Sequence, residues 1–344
     1  MTQTVSTAGA VLHRPRRRRL LWLLALAAAL VVLAAASITI GARHVSFSDL
    51  LAGLAGHTEN ISQAAIVKRV PRTVLGLLIG AALGLSGAIM QAVTRNPLAD
   101  PSILGVNMGA SLAVVIGITW FGLNTAHGYI FSAITGAGLA AVFVYVVGSL
   151  GRGGATPLKL ALAGAATSAA LVSLVTAISL PRADLADVIR SWQIGGIGGA
   201  TFANVAPMIP FLAAGLILAF LCANPLNSLA LGDELAAGLG EKVMVVRGIA
   251  ALAAVILCGA ATAMAGPIGF IGLVVPHLCR LLVGVDQRWL LPFSALTGAA
   301  LLVFSDILGR VIARPGELDV GILTALIGAP VFIAIVRRSK IRDL

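Results

Sequence analysis

Polar side chains are scarce in this chain, so the few that could do chemistry can be weighed one by one. Arg69 and Arg72, in "RVPR", stand three residues apart and would share one face of a helix. With Arg310, in "SDILGR", they offer planar guanidinium forks that suit carboxylate partners. Asp306 stands four residues before Arg310 and is placed to pair with it along a helix. A second polar group, "GDELAAGLGEK" (232–242), sets Asp233, Glu234 and Glu241 among Leu235, Ala236 and Leu239 at helical spacing, punctuated by Gly232 and Gly240. His277 has no carboxylate at helical spacing and reads as a packed, hydrogen-bonded residue. Cys222, Cys258 and Cys279 all lie in apolar runs, with neither a metal-ligand spacing nor a disulfide framework. No stretch resembles G-x-x-x-x-G-K-[ST], and no Ser/His or paired Asp falls in mid-span. No catalytic residue and no metal site is therefore assigned.

The elements that hold these residues are membrane elements. The chain has 344 residues, of which 59% are hydrophobic and 11% charged, with a mean hydropathy of +1.02. A soluble domain carries about 25% charged residues. This composition cannot cover a water-facing surface, and the bilayer is the main solvent. Ten spans are predicted, at 20–40, 70–93, 103–121, 128–149, 158–180, 203–222, 246–265, 267–283, 289–309 and 320–336, in an all-α integral membrane protein. The run from Leu20 to Ile40 is longer than a signal-peptide core of about 7–15 residues, so it reads as a retained first helix. The expected organisation is a basic tail over 1–19 and one transmembrane domain over 20–344.

Net charge is +11, which could point to nucleic acid. The placement argues against that. Arg14, Arg16, Arg17, Arg18 and Arg19 flank one end, and Arg337, Arg338, Lys340 and Arg342 the other, as membrane-anchoring charge. Ten spans put both ends on one side, and the positive-inside rule makes that side cytoplasmic. Arg95, Arg152, Lys159, Lys242, Arg247, Arg280 and Arg288 fall on the same side; Arg43, Lys68, Arg69, Arg72, Arg182, Arg190, Arg310 and Arg314 fall opposite. Arg69 and Arg72 are thus charges beside a span on the disfavoured side, which suits either headgroup anchoring or a use there.

Two places break the helices. Pro97 and Pro101 disfavour helix at the residues before them, Asn96 and Asp100, so one span ends and the next begins at an elbow. Gly266, Pro267 and Gly269, followed by Gly272, shape a second break between the seventh and eighth spans. "GAALGLSG" (80–87) and "GAATAMAG" (259–266) echo each other, and Gly109-Ala110 and Gly298-Ala299 follow in the same order. Five spans separate the copies, so spans 2–5 and 7–10 are expected to form an inverted repeat. Trp192 with Gly195, Gly196, Gly198 and Gly199 marks an outer loop, suited to the interface or to a partner.

"NPLADPSILGVNMGA" (96–110), the preceding "RVPRTVLGLLIGAALGLSGAIMQAVTR", "LNSLALGDELAAGLG" (226–240), "AGPIGFIGLVVPHLCRLLVGVDQRWLLPFSALTGA" (265–299) and "FSDILGR" with "GELDVGILTALIGAPVFIAIVRR" closely resemble the iron-chelate and vitamin B12 permease family, the membrane subunits of type II ABC importers. The resemblance runs from about residue 45 to the C-terminus. It departs at Asp319, where the family usually has proline. It implies ten helices, a second permease subunit (the same chain or a close relative), two ATPase subunits that carry ATP and Mg, a substrate-binding protein, and no cofactor in this chain. It also implies a bacterial inner-membrane location and uptake of a metal chelate, a ferric siderophore before cobalamin or haem. Gly232, Asp233, Glu234, Leu235, Ala236, Leu239 and Gly240 would then form the loop that couples to the ATPase. Arg69, Arg72 and Arg310 would face acidic residues of the binding protein. An ion-coupled secondary transporter fits less well, because the spans are nearly free of acids.

Overall fold

The computed structural model describes residues 16–41, 45–150, 156–182 and 192–340. The predicted positions Arg14, Arg43, Arg152, Arg190 and Arg342, and the tail up to residue 15, lie outside them. The described residues form helices joined by turns and loops, with no strand among them. In chain order the helices are α1 (Arg16–Thr39), α2 (Phe47–Leu54), α3 (Ile61–Thr94), α4 (Val106–Phe121), α5 (Ala126–Ser149), α6 (Pro157–Ser179), α7 (Phe202–Leu221), α8 (Ala223–Leu229), α9 (Asp233–Gly238), α10 (Val243–Ala265), α11 (Ile271–Val283), α12 (Gln287–Ile312) and α13 (Val320–Lys340). Seven are long and apolar enough to cross a membrane; α4, α11 and the apolar part of α13 are shorter, and together they occupy the ten predicted places.

Several boundaries differ from the sequence reading. α1 begins at Arg16, four residues before the predicted span, so Arg16–Arg19 form its first turn. α3 begins nine residues before the predicted span and carries Pro71 inside it. Pro costs an internal helix a hydrogen bond and a clash, yet here the surrounding helices bury it and hold the helix through. α2 was not anticipated; it is short and amphipathic, capped by Ser46 and laid on α3. Polar caps open five of the others: Asn60, Thr125, Thr156, Thr201 and Asp286 each accept from a backbone N–H in the first turn.

The packing repeats when the first five spans are exchanged for the last five. α3 lies on α12, as α10 lies on α5; α4 packs on α5, as α11 on α12; α11 touches α3, as α4 touches α10. α6 covers α4 and α5, as α13 covers α11 and α12. α3 and α10 meet at the centre. Arg95, at the end of α3, pairs with Asp233, which also pairs with Arg247 near the start of α10, so these two packed helices run in opposite directions and the repeat is inverted. The breaks correspond as well. Gly105 (φ +73°) precedes α4 and rests on Thr167 and Ser168 of α6, while Phe270 (φ +70°) precedes α11 and rests on Gly328 of α13.

One detail of the expected repeat is corrected. Gly109 is on the third span and Gly298 on the ninth, which are not equivalent positions. Gly109 meets Gly136 of α5, whereas Gly298 meets Gly80 of α3. The two Gly-Ala pairs recur because small residues are needed at every close crossing. The α3–α12 crossing is closely knit: a Cβ at Gly80 or at Gly298 would run into the other's backbone, and Gly84 stands the same way against Ser294. A leucine seam could not approach so near. Gly87 meets Gly272 of α11 on the next side of α3.

Candidate functional site

Chemistry-bearing side chains gather on two opposite faces. On the first, the last turn of α1 ends in carbonyls with no helical partner and with the negative end of the helix dipole. Three arginines from distant segments close it. Arg69 Nη1 donates to Ile38 O (3.2 Å) and Thr39 O (3.1 Å). Arg310 Nη1 donates to Ser37 O (2.8 Å) and Ile40 O (3.1 Å), and its Nη2 to Ser37 Oγ (2.7 Å). Arg314 Nη2 donates to Gly41 O (2.7 Å). No spacing in the sequence points to this role, because the carbonyls lie more than two hundred residues from Arg310 and Arg314.

Asp306 is the anion at the centre. It is 1% exposed, pairs with Arg310 at 2.9 Å, and accepts from Arg72 Nε (3.0 Å) and Nη2 (2.7 Å). The expected Asp306–Arg310 pair along the helix is present, and Arg72 joins it. Arg72 also donates to Glu317 Oε2 at 2.5 Å. Of the three arginines expected to meet a partner, Arg69 and Arg310 are buried and their guanidiniums face the protein's own carbonyls. Arg72 keeps one edge near the surface, and Lys68 beside it is exposed.

On the opposite face, Arg95 ends α3 in a left-handed conformation (φ +49°) and pairs with Asp233 at the start of α9, which also accepts from Arg247 Nη2 at 3.0 Å. The elbow and the acidic loop are therefore one unit. Within the elbow, Asn96 Oδ1 accepts from Leu98 N (2.9 Å) and Asp100 Oδ1 from Ser102 N (2.8 Å), so both act as turn caps. Pro97 lies in the turn, and Pro101 opens a short 3₁₀ segment, Pro101–Leu104. Gly232 (φ +117°) and Gly240 (φ +90°) bracket α9 in conformations that L side chains rarely adopt.

α9 is two-faced. Ala236 is fully buried against Leu229 and Val246, while Leu235 (62% exposed) and Leu239 (66%) point outward with Leu231, Met244 and Val245. Glu234 is exposed. Asp286, which caps α12, accepts from Asn227 Nδ2 at 2.9 Å and so ties α8 to the same platform. Burial pushes its carboxyl up, but the hydrogen bonds from Arg288 and Asn227 outweigh this and hold it below the usual range. Arg19, at the start of α1, lies 3.8 Å from Asp286, which places that end of α1 on this face.

The second break is held from within. Gly266 (φ +72°) turns the chain against the carbonyl of Trp192, and Pro267 and Gly269 continue without helix until Phe270. Gln91 Nε2 donates to Gly272 O (3.1 Å) and Leu273 O (3.2 Å), and Arg280 Nη1 donates to Gln91 Oε1 (2.5 Å). Gln91, Arg280 and Phe270 were not anticipated; only the glycine-proline run pointed to the break. His277 is half-buried on α11. No cluster of three metal-ligating side chains occurs among the described residues.

This arrangement is that of a multi-pass helical membrane protein, built as two inverted five-span halves, with a charged clamp on one face and a two-sided loop platform on the other. The chain belongs to the FecCD transport family, whose model matches residues 28–338. It is 46% identical over 312 residues to the ferric enterobactin transport system permease protein FepD of Escherichia coli (strain K12), covering 90% of this chain and 93% of that one. It is 47% identical over 272 residues to the iron(3+)-hydroxamate import system permease protein FhuB of Bacillus subtilis (strain 168), covering 79% and 71%. Among solved structures it is similar to an inward-facing conformation of a putative metal-chelate type ABC transporter, with a TM-score of 0.72 and 29% identity over 92% of this chain and 99% of that one.

Proposed function

We propose that this chain is the membrane-spanning permease subunit of an ATP-driven importer that carries a ferric siderophore into a bacterial cytoplasm. The observation that carries the reading is the platform around α9: apolar side chains of Leu231, Leu235 and Leu239 stand exposed on a loop pinned through Asp233 to the end of the central helix. Exposed apolar groups of this kind mark a protein interface. A partner ATPase, which holds ATP and Mg, docks there, and its movement reaches α3 and α10 through Arg95 and Arg247. The chelate passes between this chain and a second permease subunit. The nine basic residues at the two ends support a cytoplasmic position for both termini. The relatives FepD and FhuB, permeases of ferric enterobactin and iron(3+)-hydroxamate systems, support iron chelate as cargo.

Uptake of radioactive iron, supplied as catecholate, hydroxamate or citrate chelate to cells lacking and re-expressing this chain, tests the reading. Energy-dependent uptake of one ferric chelate is the expected result. Uptake of cobalamin or haem alone would reassign the cargo, and uptake that persists without ATPase partners would overturn the ATP-driven mechanism.

A further inference from the structure

Arg72 faces two carboxylates of unequal standing. Asp306 is buried, is shared with Arg310, and holds Arg72 through two N–H groups. Glu317 takes the remaining Nη1 at 2.5 Å and is 44% exposed. A water-exposed pair holds its partners by only about two- to fivefold in equilibrium terms, whereas a buried pair is broken at far greater cost. Glu317 is therefore the displaceable partner.

Glu317 lies on the segment 313–319 that joins α12 to α13. The segment is tied elsewhere by Leu318 N to Gly309 O (3.2 Å), and α13 begins with Gly321 N on Gly195 O (2.9 Å). Asp319 lies against Gly196, and Arg72 Nη1 lies beside Gly198. The outer edge of Arg72 is thus where α3, the α12–α13 connection and the 192–199 loop meet. Five basic residues stand here (Lys68, Arg69, Arg72, Arg310 and Arg314) against three acids (Asp306, Glu317 and Asp319). The excess of positive charge selects an acidic partner.

We propose that Glu317 holds the place of a partner's carboxylate: an acidic side chain of a docking protein takes Arg72 Nη1, Glu317 is released, and the 313–319 segment with the start of α13 becomes free to move against α3. This rests on reading the face as the docking site of the substrate-binding protein. The exchange replaces one ion pair with another, so it needs little net driving force. It also links arrival of the partner to the helix that covers α11 and α12.

Spin labels at Lys68→Cys and Gly316→Cys, both exposed positions, report the distance across the latch in nanodiscs; the three native cysteines are buried. Hexaglutamate serves as the acidic probe and hexalysine as its control. The expected result is a single distance in the labelled parent, broadened and lengthened by hexaglutamate alone. In Glu317→Gln the distance is already broad without peptide, and hexaglutamate binds about two- to fivefold tighter. Equal distance distributions in the parent and Glu317→Gln, or equal peptide affinity, would overturn the latch. Iron-chelate uptake by the same cells is read in parallel. Uptake that is intact while the latch tests fail overturns the latch alone, whereas absent uptake in the parent overturns the transport reading.

Discussion

Arg310 on α12 caps the last turn of α1 through Ser37, donating to its carbonyl at 2.8 Å and to its hydroxyl at 2.7 Å. The two residues lie at opposite ends of the chain. Arg310 thereby fastens the first span to the ninth, and does so at 1% exposure. Removing one member of a buried charge network costs about 3–5 kcal/mol, because the others are left unpaired. Arg310→Ala should therefore lower the thermal stability of the purified protein strongly, and Arg310→Lys should recover only part of it, since one ammonium cannot reach the carbonyls and Asp306 together. Unchanged melting of Arg310→Ala would return this residue to a role at the surface.

The two faces of α9 separate folding from docking. Leu235→Asp with Leu239→Asp should leave the permease folded and abolish co-purification with its ATPase. Ala236→Asp, at a fully buried site, should instead destabilise the loop itself by several kcal/mol. Proteolysis of 226–245 in detergent distinguishes the two; equal sensitivity in both variants would contradict the assignment of faces.

At the α3–α12 crossing, Gly80→Val or Gly298→Val should cost about 1–3 kcal/mol or more, because the added atoms meet backbone and not a side chain that can rotate away. Gly248, which has open space around its Cα, is the control. Size-exclusion profiles and melting of Gly80→Val, Gly298→Val and Gly248→Ala check this, with only the last expected to match the parent.

Asp286 gives a pH dependence with a definite sign. Its carboxyl is held below the ordinary value of about 3.9, so its stabilisation is present above that pH and is lost as pH falls through the lowered value. Asp286→Asn should be less stable by about 1–2 kcal/mol at neutral pH. The gap should close on acidification below about pH 4. A gap that is constant from pH 7 to pH 3 would show that the charge does not matter.

Topology is tested by labelling single cysteines at Arg17 and Arg337. Both should react with an impermeant thiol reagent only from the cytoplasmic side, and reaction from outside at either would invert the orientation.

What could be read from the sequence, and what could not, divides along the physics. The ten spans were legible because bilayer thickness imposes a length on each apolar run. The breaks at Pro97–Pro101 and Gly266–Gly269 were legible because Pro and Gly act locally. α2 was missed because eight residues are too few to stand out as a span. The clamp was legible only in part. Asp306 and Arg310 share a helix, so their spacing gave the pair away. Arg72 with Glu317, and Arg310 with Ser37, are joined only by tertiary structure, and no spacing rule connects them. Phe270 in a left-handed conformation defied its residue type altogether, since the fold and not the residue's preference sets that turn.

The glycine seam between α3 and α12 also has a bearing on how the protein is made. α3 enters the membrane early in synthesis, whereas Gly298 and Ser294, the surfaces it was shaped to meet, are made near the end of the chain. Until then its grooved flank faces lipid or an insertion factor, and α12 must later be admitted against it. A five-span fragment ending at α6 would keep that flank open, so neither half is a self-sufficient folding unit. The duplication visible in the packing has become an obligate partnership, and truncation should be recognised by quality-control proteases rather than yield a working half.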